Sequence, residues 1–130
     1  MANKLPRLFF RYFAETSFAV EEDGELVAFL VGLVGSHPGE AYVHFVGVRP
    51  DHRSRGLGRQ LYETFFEEAG HRGCRTVRAI TSPINTGSIR FHTSLGFEVL
   101  RGDGAEGGTS VHPNYDGDGE DRVVFVRGIP

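Results

Sequence analysis

The sequence predicts a mixed α/β (α+β) fold, with a mostly antiparallel central sheet flanked by helices. Three observations predict it. Two β-prone runs, residues 18–20 and 26–31, bracket Glu21-Glu22-Asp23-Gly24-Glu25, and Asp-Gly between such runs is a strong hairpin signal. The period of the apolar residues changes from two to that of a helix just after Gly56. A second helical segment, opened by Asn85 and closed by Gly96, leads into further β-prone runs.

The elements follow in chain order. Residues 5–13 carry Leu5, Leu8, Phe9, Tyr12 and Phe13 at spacings of three and four, which predicts a helical face. The second hairpin strand runs on to Val34 and stops at the loop Gly35-Ser36-His37-Pro38-Gly39. Residues 41–48 are a third strand, with Tyr42, His44, Val46 and Val48 predicted on one face. Beyond Gly56, Leu57, Leu61, Phe65 and Ala69 form a helical stripe widened by Tyr62 and Phe66, and Gly70 and Gly73 end it. Residues 76–81 are a short strand. Asn85 is a good N-cap for a helix over 86–95. Residues 97–100 and 122–126 are the last strands, separated by a long glycine-rich, acidic loop over 101–121. No internal repeat is present, and the length predicts one domain over 1–130.

Composition narrows the function. A hydrophobic content of 39% and a charged content of 24% describe an ordinary globular chain. A formal net charge of −3 argues against nucleic-acid binding through a basic surface. Cys74 is the only cysteine, which rules out an internal disulfide and fits a reducing compartment. No segment has the length and purity of a membrane span, and the N-terminus lacks the apolar stretch of a signal peptide. The expectation is a cytoplasmic protein with no membrane partner.

Positive charge is concentrated at one place. Arg49, Arg53, Arg55 and Arg59 cluster where a strand ending at Pro50 meets the helix that starts after Gly56. Such a junction presents backbone N–H groups and cationic side chains together, which suits a phosphate or pyrophosphate. The spacing is Arg53-x-x-Gly56-x-Gly58. A nucleotide site of the Rossmann type is set aside, because no third glycine stands in register.

Arg53-x-x-Gly56-x-Gly58, preceded by Val46-Gly47-Val48-x-Pro50, resembles the acetyl-CoA-binding signature of the GNAT family of N-acetyltransferases. Asn85-x-x-Ser88-Ile89-x-Phe91-His92-x-x-Leu95-Gly96-Phe97 resembles the later motif of the same family. The resemblance covers residues 18–126 in family order. It implies that acetyl-CoA is the acyl donor and that no metal is required. It implies that the strand before the loop splays from its neighbour, so that the backbone of Phe45, Val46, Gly47 and Val48 pairs with the pantetheine arm. The amides of Ser54, Arg55, Gly56, Leu57, Gly58 and Arg59 would cradle the pyrophosphate, with Arg53, Arg55 and Arg59 adding charge-assisted contacts. Asn85 would contact the arm near the thioester while also capping its helix, and Ser88, one turn into that helix, is either a surface or a cofactor-facing residue.

The resemblance implies catalysis by positioning and proton transfer. His92 stands where most family members carry a tyrosine that protonates the departing thiolate, and an imidazolium can donate that proton. A histidine packed beside Phe91 is the structural alternative. His44 is the candidate base, with Glu40 in reserve, since Tyr42 is no easy base at neutral pH. The acidic loop would favour a cationic amine, with His112 and Tyr115 as pocket residues. Asp116-Gly117-Asp118-Gly119-Glu120 lacks the spacing of an EF-hand, and no metal site is expected there. Family members begin with a strand and helix that this chain starts too late to supply. The reading is an N-acetyltransferase acting on a small-molecule or peptide amine by direct attack in a ternary complex, in a family where homodimers are common. The alternative is a non-catalytic acyl-CoA-binding or regulatory module.

Overall fold

The computed structural model of the chain describes residues 8–14, 16–53 and 56–129. Strands β1 (Leu8–Ala14), β2 (Ser17–Glu22), β3 (Glu25–His37) and β4 (Glu40–Val48) form an antiparallel meander. A 3-10 turn at Pro50–His52 leads towards α1 (Leu57–His71), which is followed by β5 (Thr76–Thr81) and α2 (Thr86–Ser94). The chain then forms β6 (Glu98–Val99), the hairpin of β7 (Gly104–Glu106) and β8 (Thr109–Val111), and β9 (Val123–Gly128). The main sheet has seven strands in the order β1-β2-β3-β4-β5-β9-β6. Among the described residues only β4 and β5 run parallel, because α1 is the crossover between them.

The Asp23-Gly24 signal is a two-residue hairpin turn, with positive φ at both positions as a primed turn requires. The expected helix over 5–13 is corrected: from Leu8 onward the chain is strand, pairing Leu8 with Glu22 and Ala14 with Ser17. An aromatic-rich run fits either element, and the edge of β2 supplies a ladder that an isolated short helix lacks. Residues 5–7 lie outside the described residues. The expected loop over 101–121 also holds more order. Gly107 and Gly108 take φ of 58° and 84°, which makes the β7–β8 turn, and Val111 is buried in the core.

Both helices lie on one face of the sheet. The α1 stripe of Leu57, Leu61, Tyr62, Phe65 and Ala69 is buried against β2, β3 and β4. Phe91 of α2 sits over Gly58, and His92 stacks on Phe125 of β9. A Cβ at Gly58 would lie 2.9 Å from Cζ of Phe91, so this glycine lets the two helices meet near the start of α1. No helix among the described residues is long and apolar enough to cross a membrane.

Candidate functional site

Strands β4 and β5 pair only where residues 40–43 face residues 76–79. Both continue past that point, β4 to Val48 and β5 to Thr81, without pairing to each other. The sheet therefore forks at Val43 and Ala79. Residues 44–48 keep β3 on one side, and the β5-facing side of their backbone has no β-ladder partner among the described residues. Backbone N–H and C=O groups of this kind call for a partner, and an extended amide-bearing ligand supplies one.

A β-bulge marks the fork. Val31 opposes Phe45 and Gly32 opposes Val43, so His44 is the extra residue on β4. The bulge inverts the side-chain alternation. Ala41 and Val43 are buried on the helix side before it, and Val46 and Val48 pack against the same core after it. The expectation that Tyr42, His44, Val46 and Val48 share one face is thereby corrected. His44 is exposed beside the branch point of the fork, its ring 5.9 Å from that of Tyr42. Phe45 is also exposed and stacks on Phe29.

The fork opens at the end of β4 that leads to the start of α1. Gly56 precedes α1 with φ 77° and ψ 11°, a left-handed conformation that glycine adopts readily. The first internal bond of the helix is Gln60 N to Gly56 O, so the N–H groups of Leu57, Gly58 and Arg59 have no acceptor within it. Gly56 contributes no side-chain cap. The arginines divide by role. Arg49 is paired with Glu25 at 3.0 Å and Asp51 at 3.1 Å. Arg53 is exposed, with Nε 3.4 Å from the carbonyl of Val48. Arg59 reaches the carbonyl of Ser94 at 3.5 Å, bridging α1 to the end of α2. Ser54 and Arg55 lie outside the described residues.

Asn85 caps α2, its Oδ1 accepting from Ser88 N at 3.0 Å. His92 is 3% exposed, enclosed by Tyr62, Phe91, Phe97 and Phe125. Its Nδ1 lies 2.8 Å from the Ser88 carbonyl, which only accepts, so Nδ1 carries a proton. Nε2 lies 2.6 Å from the Tyr62 hydroxyl. Burial pushes the His92 pKa down, against a smaller upward effect of the Ser88 bond, which favours the neutral ring. In that form Tyr62 donates and Nε2 accepts. Burial also pushes the Tyr62 pKa up, so the phenol keeps its proton. Tyr62 escapes the sequence reading because it sits inside an apolar stripe. The available signal is that a buried tyrosine hydroxyl needs a partner.

On the acceptor side, Glu40 is tied to Arg78 at 3.1 Å at the far end of the paired stretch of β4 and β5, away from the fork. The Tyr42 pKa is raised, first by burial and then by Tyr115 and Asp116. Those neighbours bring the 101–121 segment up to β4. Arg101, Gly102, Asp103, His112, Pro113 and Tyr115 line an open cleft of about 240 Å³. Asp116 is paired with Arg122 at 2.9 Å, which offsets part of the acidity expected there. Among the described residues, no group of three or more His, Cys, Asp or Glu side chains is placed to hold a metal ion.

Comparison with known proteins fits this geometry. A profile of the Acetyltransferase (GNAT) family matches residues 2–97. The chain is 32% identical over 115 residues to the [ribosomal protein bS18]-alanine N-acetyltransferase of Escherichia coli K12, covering 87% of this chain and 71% of that protein. It is 43% identical over 56 residues to the L-methionine sulfoximine/L-methionine sulfone acetyltransferase of Salmonella typhimurium, which is 43% of this chain but only 33% of that protein. Among solved structures, yncA of Salmonella typhimurium, described as an acetyltransferase and solved with its cofactor acetyl-CoA, superimposes with a TM-score of 0.65 at 25% identity. That match covers 88% of this chain and 64% of the other.

Proposed function

The chain belongs to the acetyltransferase (GNAT) family, and from that premise we propose that it moves an acetyl group from acetyl-CoA to a primary amine by direct attack in a ternary complex. The observation that carries this reading is the β4–β5 fork opening towards the start of α1, whose first N–H groups have no acceptor within the helix. An acyl-pantetheine arm joined to a pyrophosphate has those two requirements in that order. The backbone of Phe45, Val46, Gly47 and Val48 is assigned to the arm. Arg53, Ser54, Arg55, Gly56, Leu57, Gly58 and Arg59 are assigned to the pyrophosphate, and Asn85 and Ser88 to the region of the thioester. Coenzyme A, when bound, supplies the acetyl group as an activated thioester.

The chain's own residues position the reactants. An amine held near the branch point of the fork attacks the acetyl carbon, the carbon–sulfur bond breaks, coenzyme A leaves as the thiolate and takes a proton from solvent, and the proton lost by nitrogen must find a base. His44 is assigned that proton, directly or through water, because it is exposed beside the branch point. The proton-donor role expected of His92 is replaced in this proposal by a positioning one, since its ring is enclosed and both nitrogens are bonded inside the protein. The acceptor is a small-molecule or peptide amine, and the two relatives support testing both.

Free thiol release from acetyl-CoA is the assay, with an amino-acid and a peptide α-amine in the panel. The expected result is release that depends on the amine, with mass spectrometry finding the acetyl group on that amine. Coenzyme A binding without turnover on any amine would support a non-catalytic module instead.

A further inference from the structure

The contact between α1 and α2 is a seam of rings in which Gly58, Tyr62 and Phe66 of α1 recur every fourth residue. Gly58 receives Phe91, Tyr62 meets Phe91, His92 and Phe97, and Phe66 meets Phe97. Within this seam one polar bond is buried, from Tyr62 (0% exposed) to His92 (3% exposed). Apolar rings can slide with small loss, whereas a buried hydrogen bond has a narrow range of length and angle. Nothing in the proposed transfer uses the Tyr62 hydroxyl chemically.

We propose that Tyr62 is a positioning residue: from the second turn of α1 its hydroxyl holds His92 in the Nδ1–H form and thereby sets the first turn of α2 relative to the first turn of α1, where Phe91 packs over Gly58. The chain of contacts is continuous. The Tyr62 hydroxyl donates to Nε2, Nδ1–H donates to the Ser88 carbonyl, and Ser88 Oγ lies 3.2 Å from the same Nδ1. Ser88 N in turn donates to Asn85 Oδ1. The core of α1 is thus linked through His92 to the turn that holds Asn85 and Ser88. The inference rests on the reading of these two turns as the coenzyme A site.

Tyr62→Phe removes one oxygen and keeps the ring in the seam. Two readouts separate positioning from bulk stability. Nitrogen-15 spectra of the imidazole should show His92 as the Nδ1–H tautomer with a hydrogen-bonded Nε2 in the wild type. In Tyr62→Phe the Nε2 resonance should lose that bond. Calorimetry should then show coenzyme A affinity falling about five-fold or more in Tyr62→Phe, the scale on which loosened supporting contacts act. Phe66→Leu, which loosens the same seam but leaves the Tyr62 hydroxyl in place, should lower the melting temperature with affinity held within about two-fold. Unchanged affinity in Tyr62→Phe, or an equal loss in Phe66→Leu, overturns the positioning role and leaves the cofactor assignment standing. A wild type that binds no coenzyme A overturns both.

Discussion

Replacing Gly56 with glutamate is expected to weaken coenzyme A binding by about 100-fold or more, ~2.7 kcal/mol, while the protein stays folded. The geometry at Gly56 separates the two effects. A Cβ built there meets nothing within 4 Å, so the packed core does not oppose a side chain. The φ of 77° imposes a left-handed backbone, which costs an L-residue about 1–2 kcal/mol. The carboxylate is placed at the helix start, where it repels a pyrophosphate. It also competes for the N–H groups of the first turn, as an acidic cap would. Gly56→Ala is the control. It carries the backbone cost without the charge and should retain most of the affinity. Calorimetric titration of the two variants gives the comparison, and unchanged binding in Gly56→Glu would remove the pyrophosphate assignment.

Gly32→Leu is expected to cause a large loss of stability, about 3 kcal/mol or more and roughly 10 °C or more in melting temperature. Gly32 sits in β3 beneath α1. A Cβ there would overlap the ring of Phe65, which is fully buried, and would lie 2.7 Å from the carbonyl of Thr16. The backbone cannot move aside cheaply. Thr16 Oγ1 donates to Gly32 O at 2.7 Å, and Gly32 N donates to Ser17 Oγ at 3.2 Å. A glycine inside a strand normally weakens it, so this one is explained by the close approach of Phe65. Thermal unfolding checks the expectation, and a melting temperature within about 2 °C of the wild type contradicts it.

What the sequence made legible is local in origin. The Asp23-Gly24 turn, the start of α1 after Gly56 and the Asn85 cap each depend on residues within a few positions of one another. Those features were enough to order most of the elements along the chain and to mark a candidate anion site. The rest depends on partners distant along the chain. The aromatic run from Leu8 becomes strand because β2 offers an edge. The bulge at His44 exists because β4 must pair with β3 and part from β5, and a pattern of alternating residues cannot show it. In the sequence Gly58 is a member of the pyrophosphate motif, while in the fold its missing Cβ makes room for Phe91. His92 matched a motif position by sequence, and only its pairing with Tyr62, thirty residues away, shows how it is held.

The central claim is that coenzyme A lies across the β4–β5 fork and the first turn of α1. Amide hydrogen exchange with and without acetyl-CoA tests it most directly. The account predicts that the cofactor slows exchange at residues 45–48 and 57–59 together, with little change on β2. Protection confined to other strands, or none at saturating cofactor, would contradict it.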